Sequence, residues 1–72
     1  MGIAEKIKIL LIKREMTQKA LSESLGMSPE SLNNKLRRET FDLEELETIA
    51  AKLNATYSFK QWFKMNDTGE EI

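Results

Sequence analysis

The sequence predicts a mainly α fold of four short helices followed by a C-terminal strand, hairpin or fifth helix. Apolar residues recur at helical spacing through residues 1–54, and the segments that separate these runs are very short. Three residues of the types that cap helix N-termini, Thr17, Ser28 and Asp42, mark helix starts. A chain of 72 residues buries only about three-fifths of the surface that it exposes when unfolded, so we expect one domain over residues 1–72.

The first two helices follow from an apolar stripe and a start signal. Helix 1 is expected from Ile3 to about Glu15. Its stripe is Ile3, Ile7, Leu10 and Leu11. Helix 2 begins at the Thr17 cap, and it ends at Gly26, since glycine adopts the left-handed conformation at little cost.

Helices 3 and 4 carry the stronger start signals. Ser28 is an N-cap, and Pro29 suits the first helical position because its missing N–H has no partner there. Helix 3 spans about residues 28–38. Asp42 and Glu45 form a capping-box pattern for helix 4, and Asn54 is a plausible stop. The expected buried face of helix 4 is Leu43, Leu46, Ile49, Ala50 and Leu53.

The tail, residues 56–72, has a different period. Apolar residues alternate with polar ones from Thr56 to Met65, which favours a strand, although Gln61 and Trp62 interrupt the alternation. Turn-forming residues at 66–69 would fold residues 70–72 back as a partner strand. A fifth helix that uses Phe59, Trp62 and Phe63 is the alternative.

Composition excludes several classes of protein. The chain has no cysteine and no histidine, so it offers no disulfide, no thiolate metal site and no histidine general base. Adjacent acids such as Glu44 and Glu45 point about 100° apart on a helix. We therefore expect no enzyme, no cofactor, no metal and no small-molecule substrate.

The apolar run Ile7–Ile12 is far shorter than the roughly 20 residues that span a bilayer, so we expect no membrane contact. Glu5 in the would-be basic leader argues against a signal peptide, and the absence of cysteine suits a reducing cytoplasm, which is the expected location.

Charge is distributed unevenly along the chain. The formal net charge is −1, but residues 1–40 carry eight Lys or Arg against five Glu, and residues 41–72 carry three Lys against seven acids. Such polarity suits a protein with one cationic face. A solvated surface with accidental asymmetry explains it equally well.

Residues 17–38 have the features of a helix-turn-helix unit. Such a unit needs apolar residues on its first helix (Leu21 and Leu25), a small residue at the crossing (Ser22), a glycine at the turn and an apolar anchor on the second helix (Leu32). The stretch TQKALSESLGMSPESLNNKL, residues 17–36, resembles the phage repressor and Cro (Xre-type) family. The likeness extends over about residues 3–54.

The resemblance implies a sequence-specific DNA-binding transcriptional regulator from a phage or bacterium, with a nucleoid-associated location. We expect a repressor that places helix 3 in the major groove and binds a palindromic operator as a homodimer. The alternative is a protein-interaction module on the same fold, such as an antitoxin or an inhibitory partner. Tail residues would form the dimer interface, with packing on the chain's own core as the alternative. These residues are Tyr57, Phe59, Trp62 and Phe63.

The resemblance also places candidate DNA contacts. Positions that match the family's base-facing ones are Ser28, Pro29, Glu30 and Asn34. Asn34 is the best of these, because an amide can grip adenine with one donor and one acceptor. Candidates for phosphate contacts are Thr17, Gln18, Lys19, Ser31, Asn33, Lys35, Arg37 and Arg38. A solvated helix start or favourable charge at a helix end accounts for the same residues without DNA.

The sequence departs from the family at one position. Lys35 stands where an apolar anchor is usual, and Leu36 follows it. This leaves two rotations of helix 3 open, about 100° apart, with different sets of base-facing residues.

Overall fold

The computed structural model describes residues 2–58 and 62–72. Its elements are α1 (Ile3–Lys13), α2 (Gln18–Ser24), α3 (Pro29–Arg38), α4 (Leu43–Lys52), β1 (Ala55–Ser58) and β2 (Trp62–Met65). The mainly α fold with a C-terminal hairpin is therefore confirmed, and the alternative of a fifth helix is wrong. Within the described ranges, no helix has the length and apolar character needed to cross a bilayer.

All three predicted N-caps are present. The side-chain oxygens of Thr17, Ser28 and Asp42 each accept a hydrogen bond from the backbone N–H three residues on, at 3.0, 3.1 and 2.7 Å. Glu45 completes the capping box by accepting from the Asp42 N–H at 3.1 Å. These bonds satisfy N–H groups that a helix start leaves without intrahelical partners, and they explain why the helix starts were predictable.

Left-handed residues end the helices. Gly26 has a φ of 71°, as predicted, and Asn54, the expected stop of α4, has a φ of 52°. α1 ends at Lys13, slightly earlier than expected, because Glu15 takes a φ of 54° and turns the chain toward α2.

One hydrophobic cluster joins the four helices to the hairpin. Its members are buried, with side chains at most 7% exposed: Ile7, Leu10, Leu11, Leu21, Leu32, Leu36, Leu46, Ile49, Ala50, Leu53, Ala55, Phe63 and Met65. Leu43, which was expected on the buried face of α4, is instead 58% exposed. It is the first residue of α4, where the helix has only begun to cross the core.

The tail forms a hairpin with a short third segment. β1 and β2 are antiparallel, with Ala55 opposite Met65 and Ser58 opposite Trp62. Phe63 and Ile72 exchange main-chain hydrogen bonds of 3.1 and 2.8 Å, so residues 70–72 do return beside β2 as predicted.

A single strand from residue 56 to residue 65 was the wrong expectation. The two ends of this stretch lie side by side, because β1 and β2 are antiparallel neighbours with Thr56 opposite Lys64. Two strands folded together keep both apolar stretches over the core. The interruption of the alternation at Gln61 and Trp62 was the signal for this break, although Gln61 itself lies outside the described residues.

Arg14, at the end of α1, forms hydrogen bonds with the end of α4 and with the turn after β2. Its guanidinium donates from Nε to the Leu53 carbonyl at 2.8 Å and from Nη2 to the Asn54 carbonyl at 2.9 Å. It also donates to both carboxylate oxygens of Asp67, at 2.9 and 2.7 Å. The hydrogen bond from Arg14 lowers the pKa of Asp67 to about 2. Nothing in the local sequence pattern indicates this long-range pair.

Candidate nucleic-acid interface

The junction of α2 and α3 is tightly packed. Ser22 on α2 is fully buried, and its hydroxyl donates to the Lys19 carbonyl at 2.7 Å. Leu21 and Leu32, one from each helix, are also fully buried. The Met27 N–H donates back to the Ser22 carbonyl at 3.0 Å, which closes the turn. α3 is thus held across α2 by apolar contact on one side, with its other side left open.

The structure resolves the rotation of α3. Leu32 is 0% and Leu36 is 2% exposed, so the second anchor is Leu36. Lys35 is half-buried, and its Nζ lies 2.7 Å from the Glu45 Oε2 atom of α4. With about 100° per residue, Asn34 then points roughly 180° from the line between the two leucines. Asn34 therefore lies at the centre of the outward face.

Charged residues flank this centre. Glu30 and Arg38 lie about 140° from the core line, on opposite sides of it. Both are exposed. Glu30 belongs to the first turn of α3, and Arg38 to its last turn, each at the end of the helix dipole that suits its charge. The outward face is therefore acidic at its start and cationic at its end.

The four candidate base-facing residues share this exposed surface. They are Ser28, Pro29, Glu30 and Asn34. Ser28 is already engaged within the helix start, because its Oγ accepts from the Ser31 N–H and donates to the Ser31 Oγ at 3.0 Å. Glu30 and Asn34 are the side chains that reach outward from the helix body.

Asn34 has a partner on its own helix. The Arg37 Nη2 atom donates a hydrogen bond of 2.8 Å to the Asn34 Oδ1 atom. Both residues are exposed, so the pair stands on the open face of α3. The sequence predicts Asn34 as a base contact and Arg37 as a phosphate contact, without the bond between them, although their spacing of three residues on a helix allows it.

The candidate phosphate contacts differ in availability. Six of them are exposed: Thr17, Lys19, Ser31, Asn33, Arg37 and Arg38. Gln18 is half-buried at the start of α2. Lys35 is tied to Glu45, and the hydrogen bond from Lys35 is the main reason that the pKa of Glu45 is lowered. Lys35 is therefore less available to DNA than the other cations.

The candidate dimer residues lie in different surroundings. Phe63 is fully buried in the chain's own core, so its side chain does not contribute to the outer surface. Tyr57 is half-buried, with its ring centroid 5.1 Å from that of Phe63. Trp62 is half-buried as well. Phe59 lies outside the described residues. The tail thus packs on its own chain, the alternative that the sequence left open for Phe63.

A groove that sequence analysis did not anticipate lies beside the turn. It has a volume of about 390 Å³ and runs between the end of α2 and the start of α4. Its lining is apolar with acidic members: Leu25, Met27, Phe41, Asp42, Glu44, Glu45, Thr48 and Ile49. Because carboxylates repel phosphate, the groove is a poor surface for nucleic acid compared with the cationic end of α3.

Comparisons with known proteins agree with this geometry. Residues 6–57 match the family model of the Cro/C1-type HTH DNA-binding domain. A curated relative is the repressor protein CI of Enterobacteria phage phi80, 36% identical over 51 residues, which are 71% of this chain and 22% of that repressor. The chain thus spans about a fifth of the length of the relative it matches. No solved structure is significantly similar.

The family match covers α2, the turn, α3 and α4, which are the elements that hold the exposed helix in place. The family is one of DNA-binding domains and not of enzymes. A capped helix fixed by Leu32 and Leu36 across a partner helix, with polar groups on its free side, is the arrangement that such domains use. The chain therefore belongs to the Cro/C1-type helix-turn-helix DNA-binding family.

Proposed function

We propose that this protein is a transcriptional regulator, in the simplest case a repressor, that reads double-stranded DNA with α3 in the major groove. The observation that carries the proposal is the placement of Asn34. It stands opposite the buried Leu32 and Leu36, at the centre of an exposed polar face on a helix that is fixed from behind. The major groove of B-DNA is wide enough for an α-helix and presents base edges that such side chains can bind.

Phosphate contacts would fix the register of α3 on the duplex. Gln18, the first residue of α2, carries a side-chain amide that can donate to a phosphate oxygen. Lys19 on α2 and Arg38 on α3 are exposed cations for which the described residues provide no ion-pair partner. With the two helices packed at a fixed angle, these groups would contact the backbone while α3 lies between the strands.

A homodimer would let two α3 helices read a palindromic site. Successive major grooves on one side of DNA are about 34 Å apart, and each protomer measures 31 × 22 × 20 Å. Two protomers in contact therefore suit that spacing. The outer edge of β1 is the surface that we propose for the contact.

The register of the hairpin supports this choice. β2 uses the main chain of Phe63 for its bonds with Ile72. Because antiparallel pairs alternate, the bonds with β1 then come from Trp62 and Lys64. Tyr57, which lies opposite Phe63, directs its N–H and C=O groups away from β2. Such an edge is free, in the described part of the sheet, to pair with a second copy.

The DNA-binding proposal is tested by titrating mixed-sequence duplex at 50 and 200 mM salt. Lys19 and Arg38 of two protomers supply about four phosphate contacts, which predicts a loss of affinity of about two orders of magnitude between these concentrations. Arg38→Ala should make the salt dependence less steep, whereas Lys52→Ala on α4, the matched control, should not. Binding that is absent, or insensitive to salt, would contradict the proposal and favour the protein-interaction alternative.

The dimer is tested by two substitutions at one site. Tyr57→Ala and Tyr57→Pro both remove the ring, but only proline removes the outward N–H. Proline is tolerated on edge strands, so the hairpin should survive in both. We expect Tyr57→Pro to dissociate the dimer at concentrations where Tyr57→Ala remains dimeric, as measured by light scattering. Equal behaviour of the two variants would exclude pairing through this edge.

A further inference from the structure

We propose that Arg37 and Asn34 act as one reading unit and that this unit selects guanine. The inference rests on the proposed function, since it names the base that α3 prefers. It reassigns Arg37 from the phosphate backbone to a base edge. It also names guanine as the preferred base in place of adenine, the base that Asn34 alone would bind.

The contact between the two side chains fixes which way the amide faces. The Arg37 Nη2 atom lies 2.8 Å from the Asn34 Oδ1 atom. A guanidinium can only donate hydrogen bonds. The amide must therefore turn its oxygen toward Arg37, which leaves its NH₂ group to face outward. Both residues are exposed, so no other contact has to be broken for DNA to reach them.

The donor and acceptor pattern of the pair follows. Gripping adenine needs one acceptor, for its N6 amino group, and one donor, for its N7 atom. Arg37 uses one of the two lone pairs of the Asn34 oxygen and holds that oxygen on the Arg37 side, so turning the oxygen outward beside the NH₂ group to grip adenine would break this bond. What the pair presents outward is donors only, from the Asn34 NH₂ and the remaining N–H groups of Arg37. Guanine presents two acceptors in the major groove, O6 and N7, and is the base that matches this pattern.

The position of Arg37 on α3 agrees with this role. It lies one turn after Asn34 and about 120° from the buried line of Leu32 and Leu36, on the outward half of the helix. Arg38 is four residues after Asn34 and equally cationic, but the described structure gives it no bond to the amide. The two arginines therefore provide a matched comparison, with Arg37 bound to the reading residue and Arg38 not.

The test is selection of bound duplexes from a random pool by the full chain and three variants. Asn34→Ala identifies the position in each half-site that depends on Asn34, because its preference weakens there. At that position we expect guanine for the wild type. Arg37→Ala frees the Asn34 oxygen and should change the preference to adenine. Arg38→Ala should lower affinity but keep guanine.

Affinities for two duplexes that differ only at this position give the magnitude. We expect the wild type to prefer guanine over adenine by about 5- to 150-fold, the range of a good two-bond contact to a base. Arg37→Ala should abolish or reverse this ratio, and Arg38→Ala should leave it unchanged. All substituted side chains are exposed, and thermal melts of each variant confirm that the fold is retained.

Two results would overturn the inference. Adenine at the Asn34-dependent position in the wild type, or guanine retained by Arg37→Ala, would show that the pair does not read as a unit, while the DNA-binding function would stand. If folded wild-type protein enriched no duplex at all, the proposed function would itself fail and this inference with it. The two failures are thus distinguishable.

Discussion

Replacement of Phe63 by alanine tests whether the tail belongs to the core of its own chain. Phe63 lies on β2, is 0% exposed and packs among residues of the helices. Its ring also meets that of Tyr57, with centroids 5.1 Å apart and planes inclined by 57°. A buried side chain in such a position stabilises the fold because its apolar surface is removed from water and because it packs closely against its neighbours.

The magnitude follows from the buried area. A buried phenylalanine removes about 150–250 Å² from water, which at about 25 cal/mol per Å² is an upper bound of roughly 4–6 kcal/mol. Phe→Ala substitutions in cores cost about 3–5 kcal/mol. A chain of 72 residues has a total stability of about 4–11 kcal/mol. Phe63→Ala should therefore remove a large part of the free energy of unfolding.

Urea denaturation followed by circular dichroism measures this loss. With a slope of about 1 kcal/mol per M, a cost of about 3–5 kcal/mol should lower the midpoint by about 3–5 M. Phe63→Leu, which keeps most of the volume, should cost about 1 kcal/mol and remains measurable if the alanine variant is unfolded. Lys64→Ala, at the exposed neighbouring position, is the control and should change stability by less than about 0.5 kcal/mol.

A loss below about 1 kcal/mol for Phe63→Ala would refute the packing of the tail on its own core. A loss that depends on protein concentration would do so as well, since it would place the burial of Phe63 in a contact between copies.

Three further predictions concern the ends of the helices. Asp67→Asn should lower stability at neutral pH, because the pKa of Asp67 is lowered by its pair with Arg14. The pair therefore stabilises the fold above about pH 4, and this stabilisation is lost as the pH falls toward 2. The difference between the urea midpoints of wild type and variant should be present at pH 7 and nearly vanish at pH 2, and a difference that stays constant would contradict this. Ser28→Ala removes the cap of α3 and should cost about 1 kcal/mol in thermal melts, with no change expected if the cap does not form. Gly26→Ala places a side chain at a φ of 71° in otherwise open space, so calorimetry should show a backbone cost of about 1–2 kcal/mol, and a stabilised variant would refute that conformation.

Features that depend on a few neighbouring residues were predictable from sequence. The caps of α2, α3 and α4 need only an oxygen at one position and an N–H three residues later. Gly26 likewise carries its own conformational signal. The return of residues 70–72 beside β2 followed from turn formers at 66–69. These local signals fix the order of the helices and the residues at which they start.

Features that depend on packing between distant residues were not predictable. The second apolar anchor of α3 is Leu36 and not residue 35. This depends on how α3 packs against α4, where Lys35 forms a salt bridge with Glu45. Arg14 and Asp67 are 53 residues apart. The break of the tail into two strands depends on the pairing of β1 with β2 and on the burial of Phe63 and Met65 in the core. Because the rotation of α3 depends on such packing, the site was predicted as a set of residues but not as the pair of Asn34 and Arg37.

The most direct test of the account is to map bound DNA onto the protein by NMR. The ¹⁵N-labelled chain would be titrated with the duplex that it selects, and shifts of backbone and side-chain amides recorded. We predict that the largest changes include the Asn34 side-chain amide and the first turns of α2 and α3, with little change at the exposed acidic residues of α4. Changes centred on α4, with the Asn34 amide unmoved, would contradict the claim that the outward face of α3 reads DNA.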